Sequence, residues 1–87
     1  MQEIHVYSKN YCPFCQRAVE LLKIKGVPYL VIDVTDDCQL EEEMRHRSGR
    51  NTVPQIFIGM KHVGGCDDLF ALDEQGALDP LLSKLSA

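Results

Sequence analysis

Apolar and polar positions alternate over Ile4-His5-Val6-Tyr7, the two-residue period of a strand. Ser8 to Tyr11 is polar and reads as a loop. From Pro13 to Lys25 the period lengthens: Phe14, Ala18, Val19, Leu21 and Leu22 recur at helical spacing. Pro13 suits the first helical position, where its missing N–H costs nothing. Gly26 ends this helix, and Pro28 follows two residues on. Tyr29-Leu30-Val31-Ile32-Asp33-Val34 is a β-branched apolar run, which predicts a second strand buried on both faces.

The chain therefore begins strand–helix–strand, a right-handed parallel unit by rule. Asp36 or Asp37 suits the N-cap of a second helix running to about Ser48 and ended by Gly49. Gln55-Ile56-Phe57-Ile58 and Lys61-His62-Val63 flank Gly59-Met60, a pair fit for a two-residue hairpin turn. Asp67 to Leu72 and Pro80 to Leu85 read as short closing helices. This order predicts one α/β sandwich domain over residues 1–87, with a small mixed sheet of one parallel pair and one antiparallel hairpin.

Length and charge narrow the classes. A chain of 87 residues holds one modest core and not two. No apolar run reaches the roughly 18–20 residues of a membrane span, so no membrane partner is expected. The net charge of −4 argues against nucleic acid as a partner. Asp36-Asp37 and Glu41-Glu42-Glu43 read as a solvated loop and helix start. The N-terminus lacks the basic and apolar regions of a signal peptide, so the expected location is cytoplasmic. There the four cysteines, Cys12, Cys15, Cys38 and Cys66, are expected to be reduced at rest.

The candidate chemistry begins at Cys12-Pro13-Phe14-Cys15. Two cysteines three apart can close a disulfide with little backbone movement, and beside a βαβ unit this is a thioredoxin-like pattern. Cys12 falls where helix N–H groups lack partners and the macrodipole favours negative charge. Both effects favour the thiolate, which is the attacking species in disulfide exchange. Cys15, one turn inside, is the candidate to resolve a mixed disulfide. A structural zinc site needs a second ligand pair; Cys38 and Cys66 are isolated, and His5, His46 and His62 form no such pair, so no metal is expected.

Three further features stand near this pair in the expected fold. Lys9, three residues before Cys12, is placed to favour its thiolate and to bind a carboxylate. Thr52-Val53-Pro54 precedes a strand, where proline cannot donate to the ladder. From the residues alone a trans Val53–Pro54 bond is expected, because only about 5–6% of X–Pro bonds are cis. A cis bond there would turn the Val53 backbone toward the cysteines, open to pairing with an extended peptide. Gly64-Gly65-Cys66-Asp67-Asp68 joins two glycines, which allow close backbone approach, to a helix start whose N–H groups suit a carboxylate and whose aspartates suit an ammonium group instead.

In this order and spacing, these segments resemble the glutaredoxin family over nearly the whole chain, and most of all its short bacterial dithiol members. Lys9 to Cys15 looks like the family's active-site segment, Thr52-Val53-Pro54 is similar to its cis-proline loop, and Gly64 to Asp68 is similar to its glutathione-binding turn. Ser48-Gly49-Arg50 and Leu78-Asp79-Pro80-Leu81-Leu82 add to the likeness. The resemblance implies a thioredoxin-like fold, a four-stranded mixed sheet flanked by helices. It implies a monomer that uses glutathione as co-substrate, holds no cofactor tightly, and reduces glutathionylated or disulfide-bearing proteins.

Carried over by residue, Cys12 is the nucleophile and Cys15 the resolving thiol. Lys9 pairs with the glycine carboxylate of glutathione, for which Arg50 is a weaker candidate, and Tyr11 packs beside the tripeptide. Val53 gives two backbone hydrogen bonds, Thr52 and Pro54 shape the groove, and Gly65, Cys66 and Asp67 hold the γ-glutamyl end. Phe14 stands where the family usually has Tyr, which should tune activity rather than abolish it. Cys38 has no family role, and Cys66 reads as part of the groove wall. Some relatives instead carry an iron–sulfur cluster between two subunits. Cys15 competes for Cys12 and Pro13 restricts the loop, and both oppose that alternative.

Overall fold

In the computed structural model, which describes residues 3–84, four strands form one sheet in the order β2-β1-β3-β4. β1 (Ile4–Ser8) pairs in parallel with β2 (Leu30–Asp33), placing Val6 opposite Val31. On its other side β1 pairs antiparallel with β3 (Gln55–Ile58), placing Val6 opposite Ile56. β4 (Lys61–Gly64) completes an antiparallel hairpin with β3, with a register shift between Ile56 and Phe57. Gly59 in the hairpin turn takes a positive φ of 62°.

The expectation that the second strand is buried on both faces is overturned. β2 is an edge strand, with Leu30 51% and Val31 43% exposed. An apolar β-branched run looks the same at a sheet edge and at its centre; the centre went to β1 and β3, and every residue of β3 is buried.

The helix ends fall where their residues require. α1 (Pro13–Lys25) starts on proline and stops at Gly26, whose φ of 71° is the left-handed turn glycine favours. α2 (Cys38–Ser48) is capped by the Asp37 carboxylate, which accepts from Leu40 N–H at 3.0 Å. α3 (Cys66–Glu74) starts one residue earlier than expected and runs two further. α4 (Leu78–Ser83) also starts early, because Pro80 sits at its third position, where an N–H still has no helical partner. Leu85, expected in this last helix, lies outside the described residues.

The strand period sorts the core into two layers. On one face Ile4, Val6, Ile56 and Ile58 meet Ala18, Leu21 and Leu22 of α1, Leu69 of α3, and Leu78 and Leu82 of α4. On the other, Tyr7, Val34 and Phe57 meet Met44 of α2. Lys25 Nζ lies 2.7 Å from Asp73 and 2.9 Å from Asp79, joining the end of α1 to α3 and α4. The Val53–Pro54 bond is cis, against the expectation from the residues alone and in line with the resemblance.

Candidate active site

β1 delivers the chain to Lys9–Tyr11, and the turn closes with Cys12 N–H donating to the Lys9 carbonyl at 3.2 Å. Cys12 is then the N-cap of α1 with its own side chain: Sγ accepts from Cys15 N–H at 3.2 Å. The sulfur therefore meets one of the N–H groups that every helix start leaves without a helical partner. Across the groove, the carbonyl oxygen of Val53 lies 3.9 Å from Cys12 Sγ.

Cys15 is more deeply covered, at 3% exposure against 9% for Cys12. Its thiol is pushed up to about 12, first by burial and then by its hydrogen bond to Cys12. The raised value keeps the proton on the Cys15 sulfur, beside Cys12. Both thiols are free, so the structure is the reduced dithiol state.

Beside the dithiol runs a groove of about 250 Å³, lined by Phe14, Arg50, Thr52, Val53, Pro54, Gly65, Cys66, Asp67 and Asp68. One wall is the loop before β3. The other is the start of α3, where Asp68 turns back to accept from Gly65 N–H at 2.9 Å. That hydrogen bond, with Arg50 at 3.1 Å, holds the Asp68 carboxyl below the usual range. Gly64 is required there: its φ is 120°, and a Cβ would collide with the Asp68 carboxylate. Asp67 remains exposed on the groove rim. Cys66 is buried in the groove wall, and burial pushes its thiol up.

The candidate residues divide into two groups. Thr52, Val53, Pro54, Gly65, Cys66 and Asp67 come together in the groove, with Arg50 among them. Lys9 does not line it. Its Nζ pairs with Glu41 at 3.2 Å, and it borders a separate depression shared with Ser8, Asn10, Cys15 and Gln16. Tyr11 is 69% exposed beside the dithiol.

Several supporting residues carried no local signal in the sequence. Tyr7 donates from its hydroxyl to Glu43 at 2.8 Å and accepts from Arg47 at 2.8 Å, while Arg47 lies 4.1 Å over the Phe57 ring. Gln55 donates to the Thr52 carbonyl at 3.0 Å. These contacts join residues of different elements or hang on a rotamer, and no periodicity reports either.

A mixed sheet in this order, with a dithiol at the start of its first helix, is the thioredoxin-like arrangement, and the class of protein it defines is the thiol–disulfide oxidoreductases. The family model for glutaredoxin matches residues 4–63. Glutaredoxin 3 of Escherichia coli K12 is 52% identical over 82 residues, covering 94% of this chain and 99% of that protein. The solution structure of glutaredoxin from Brucella melitensis aligns with a TM-score of 0.82 at 52% identity, over 94% of this chain and 89% of that one. A crystal structure of a buckwheat glutaredoxin–glutathione complex aligns with a TM-score of 0.89 at 32% identity, over 99% of this chain and 81% of that one. The chain belongs to the glutaredoxin family.

Proposed function

We propose that this oxidoreductase takes its electrons from glutathione and spends them on protein–glutathione mixed disulfides and protein disulfides, with Cys12 as nucleophile and Cys15 as resolving thiol. The observation that carries this reading is a reduced dithiol, its first sulfur on a helix N-cap, beside a groove lined by backbone, a helix start and charged groups.

Cys12 thiolate attacks the glutathione sulfur of a glutathionylated protein. A Cys12–glutathione disulfide forms, and the protein thiolate leaves and takes up a proton. A second glutathione thiolate attacks the glutathione sulfur, releasing glutathione disulfide and restoring Cys12. On a dithiol target, Cys12 first forms a mixed disulfide. Cys15 then gives up its proton and attacks Cys12 Sγ, expelling the reduced target. Two glutathiones reduce the resulting Cys12–Cys15 bond. Glutaredoxins as a class sit near about −200 to −230 mV, where glutathione is an adequate reductant.

In this reading, Val53 offers its backbone to the cysteine part of glutathione, with Thr52 and Pro54 shaping the groove around it. Gly65, Cys66 and Asp67 hold the γ-glutamyl end, aided by the N–H groups at the α3 start. Lys9 releases Glu41 to meet the glycine carboxylate, Arg50 is the second cation for that role, and Tyr11 covers the tripeptide. The reading is completed by a single domain acting as a cytoplasmic monomer, without a tightly held cofactor, membrane or nucleic acid. A charge of −4 opposes nucleic acid.

The test is reduction of a glutathione mixed disulfide by glutathione, coupled to glutathione reductase and NADPH. Turnover that survives in Cys15→Ser, while reduction of a dithiol target's disulfide is lost, is the expected result. Absence of turnover from folded, reduced protein overturns the reading.

A further inference from the structure

Beneath the groove lies a buried side chain that the proposed chemistry leaves unused. Gln55 opens β3 and is 0% exposed. Its Nε2 donates to the Thr52 carbonyl at 3.0 Å and to the Thr52 hydroxyl at 3.2 Å. Both amide hydrogens are thereby used, and Oε1 faces the other way, 2.7 Å from Nε2 of His62 on β4. An amide oxygen only accepts, so His62 carries a proton on Nε2.

The imidazole is itself fixed. It lies on the Phe57 ring with centroids 4.8 Å apart and a tilt of 30°, and Arg47 of α2 covers the same ring. Burial holds His62 below the ordinary histidine range; Arg50 of the loop and Arg47 act in the same sense, and Asp68 of α3 opposes them. The Nε2 proton is present in the neutral and the charged ring alike.

We infer that His62 and Gln55 form a positioning relay for the groove: His62 orients the Gln55 amide, and that amide clamps both oxygens of Thr52, fixing the backbone that presents Val53 to Cys12. The relay is a property of the free protein and rests on the glutathione reading only for the substrate used to test it. The register of Gln55 opposite Tyr7 anchors the clamp to the central strand pair, so the groove wall is referenced to the sheet. A buried amide that loses one partner leaves the other unsatisfied, and the loop above it is then free to shift.

The test is steady-state turnover of a glutathionylated peptide by the full chain, with melting temperature and the backbone amide shifts of Thr52 and Val53 measured alongside. Gln55→Met keeps the length and removes the clamp. KM for the peptide should rise about five- to tenfold, with kcat within about twofold. His62→Phe keeps a ring on Phe57 without a donor, and KM should rise about threefold. His62→Gln restores an N–H donor and should return KM to within about twofold of the starting protein. The Thr52 and Val53 amide shifts should move in the first two variants and return in the third.

Folded Gln55→Met and His62→Phe proteins with unchanged KM and unchanged shifts overturn the relay, as does a His62→Gln protein indistinguishable from His62→Phe. If Gln55→Met does not fold, the two His62 variants decide alone. Failure of the glutathione reading shows separately, as absent turnover in the unmodified protein, and the amide shifts then still judge the relay.

Discussion

At the start of α1 the cysteine is itself the cap, and its sulfur takes the Cys15 N–H. At the start of α2 the cap is Asp37, whose carboxylate has taken the Leu40 N–H, and Cys38 stands one residue further on, exposed. α3 repeats the second arrangement with different parts. Cys66 is again the first helical residue, and Asp68 reaches back to the Gly65 N–H. Three helices thus open on or beside a cysteine, and the dipole favours negative charge at each. What separates Cys12 is that no carboxylate stands between its sulfur and the free N–H groups. It also has a second thiol one turn inside and a groove alongside. A helix start supplies the field; the cap position decides which group collects it.

The widest gap predicted by this comparison is between Cys12→Ser and Cys38→Ser. In the coupled glutathione assay the first should fall by about 10³-fold or more, toward the uncatalysed rate. The second should stay within about twofold of the parent, since Cys38 does not line the groove. Comparable losses in both would break the distinction between the two helix starts.

Next in size is the pH response that Cys15 gives to the fold. Its thiol titrates at about 12 in the fold against 9.0 for the reference thiol. Below pH 9 both states hold the proton and the contribution is fully present. As pH rises from 9 toward 12 the unfolded chain gives up the proton first, so unfolding is favoured and the contribution is lost. Urea midpoints of the reduced protein should fall across that window, and those of Cys15→Ser should fall less. Equal slopes for the two proteins would remove Cys15 from the account. Tyr7 and Cys66 titrate in the same sense, so the difference between the proteins is the informative quantity.

The smallest effect sharpens the capping argument. Asp37→Ala removes the α2 cap, and denaturant unfolding should report a loss of about 1 kcal/mol. With the carboxylate gone, Cys38 meets the freed N–H groups, and its alkylation at neutral pH should quicken about two- to fivefold. An unchanged alkylation rate would show that the cap does not shield this thiol from the helix field.

Much of the frame was legible because single residues punctuate it. Pro13, Gly26 and Gly49 each fix a helix end through backbone geometry as expected, and of the two candidate caps Asp36 and Asp37 it is Asp37 that caps α2. The dithiol was legible because its spacing and its helix start lie within four residues. Strand order was not: Leu30-Val31-Ile32 carries the same pattern at an edge as in a centre, and only the completed sheet decides. Two groove walls were readable as Thr52-Val53-Pro54 and Gly64-Gly65. The partners of the candidate cations were not, since Lys9 meets Glu41 and Arg50 meets Asp68 across long stretches of chain. Gln55 looked like an ordinary first residue of a strand, and only its rotamer reveals what it holds.

The two layers of the core are unequal, and this bears on how the molecule breathes. One face of the sheet carries α1, α3 and α4 over a broad apolar cluster, whereas α2 commits one fully buried side chain, Met44, to the other. Opening energies of parts of a fold follow the apolar contact each part would lose. By that measure the α2 layer is expected to open below the energy of global unfolding, with the amides of α1 expected to be better protected from exchange than those of α2. Such an opening separates Glu41 from Lys9 and uncovers Phe57 at the back of the sheet, yet leaves Cys12, Cys15 and the α3 groove wall on the half that stays closed.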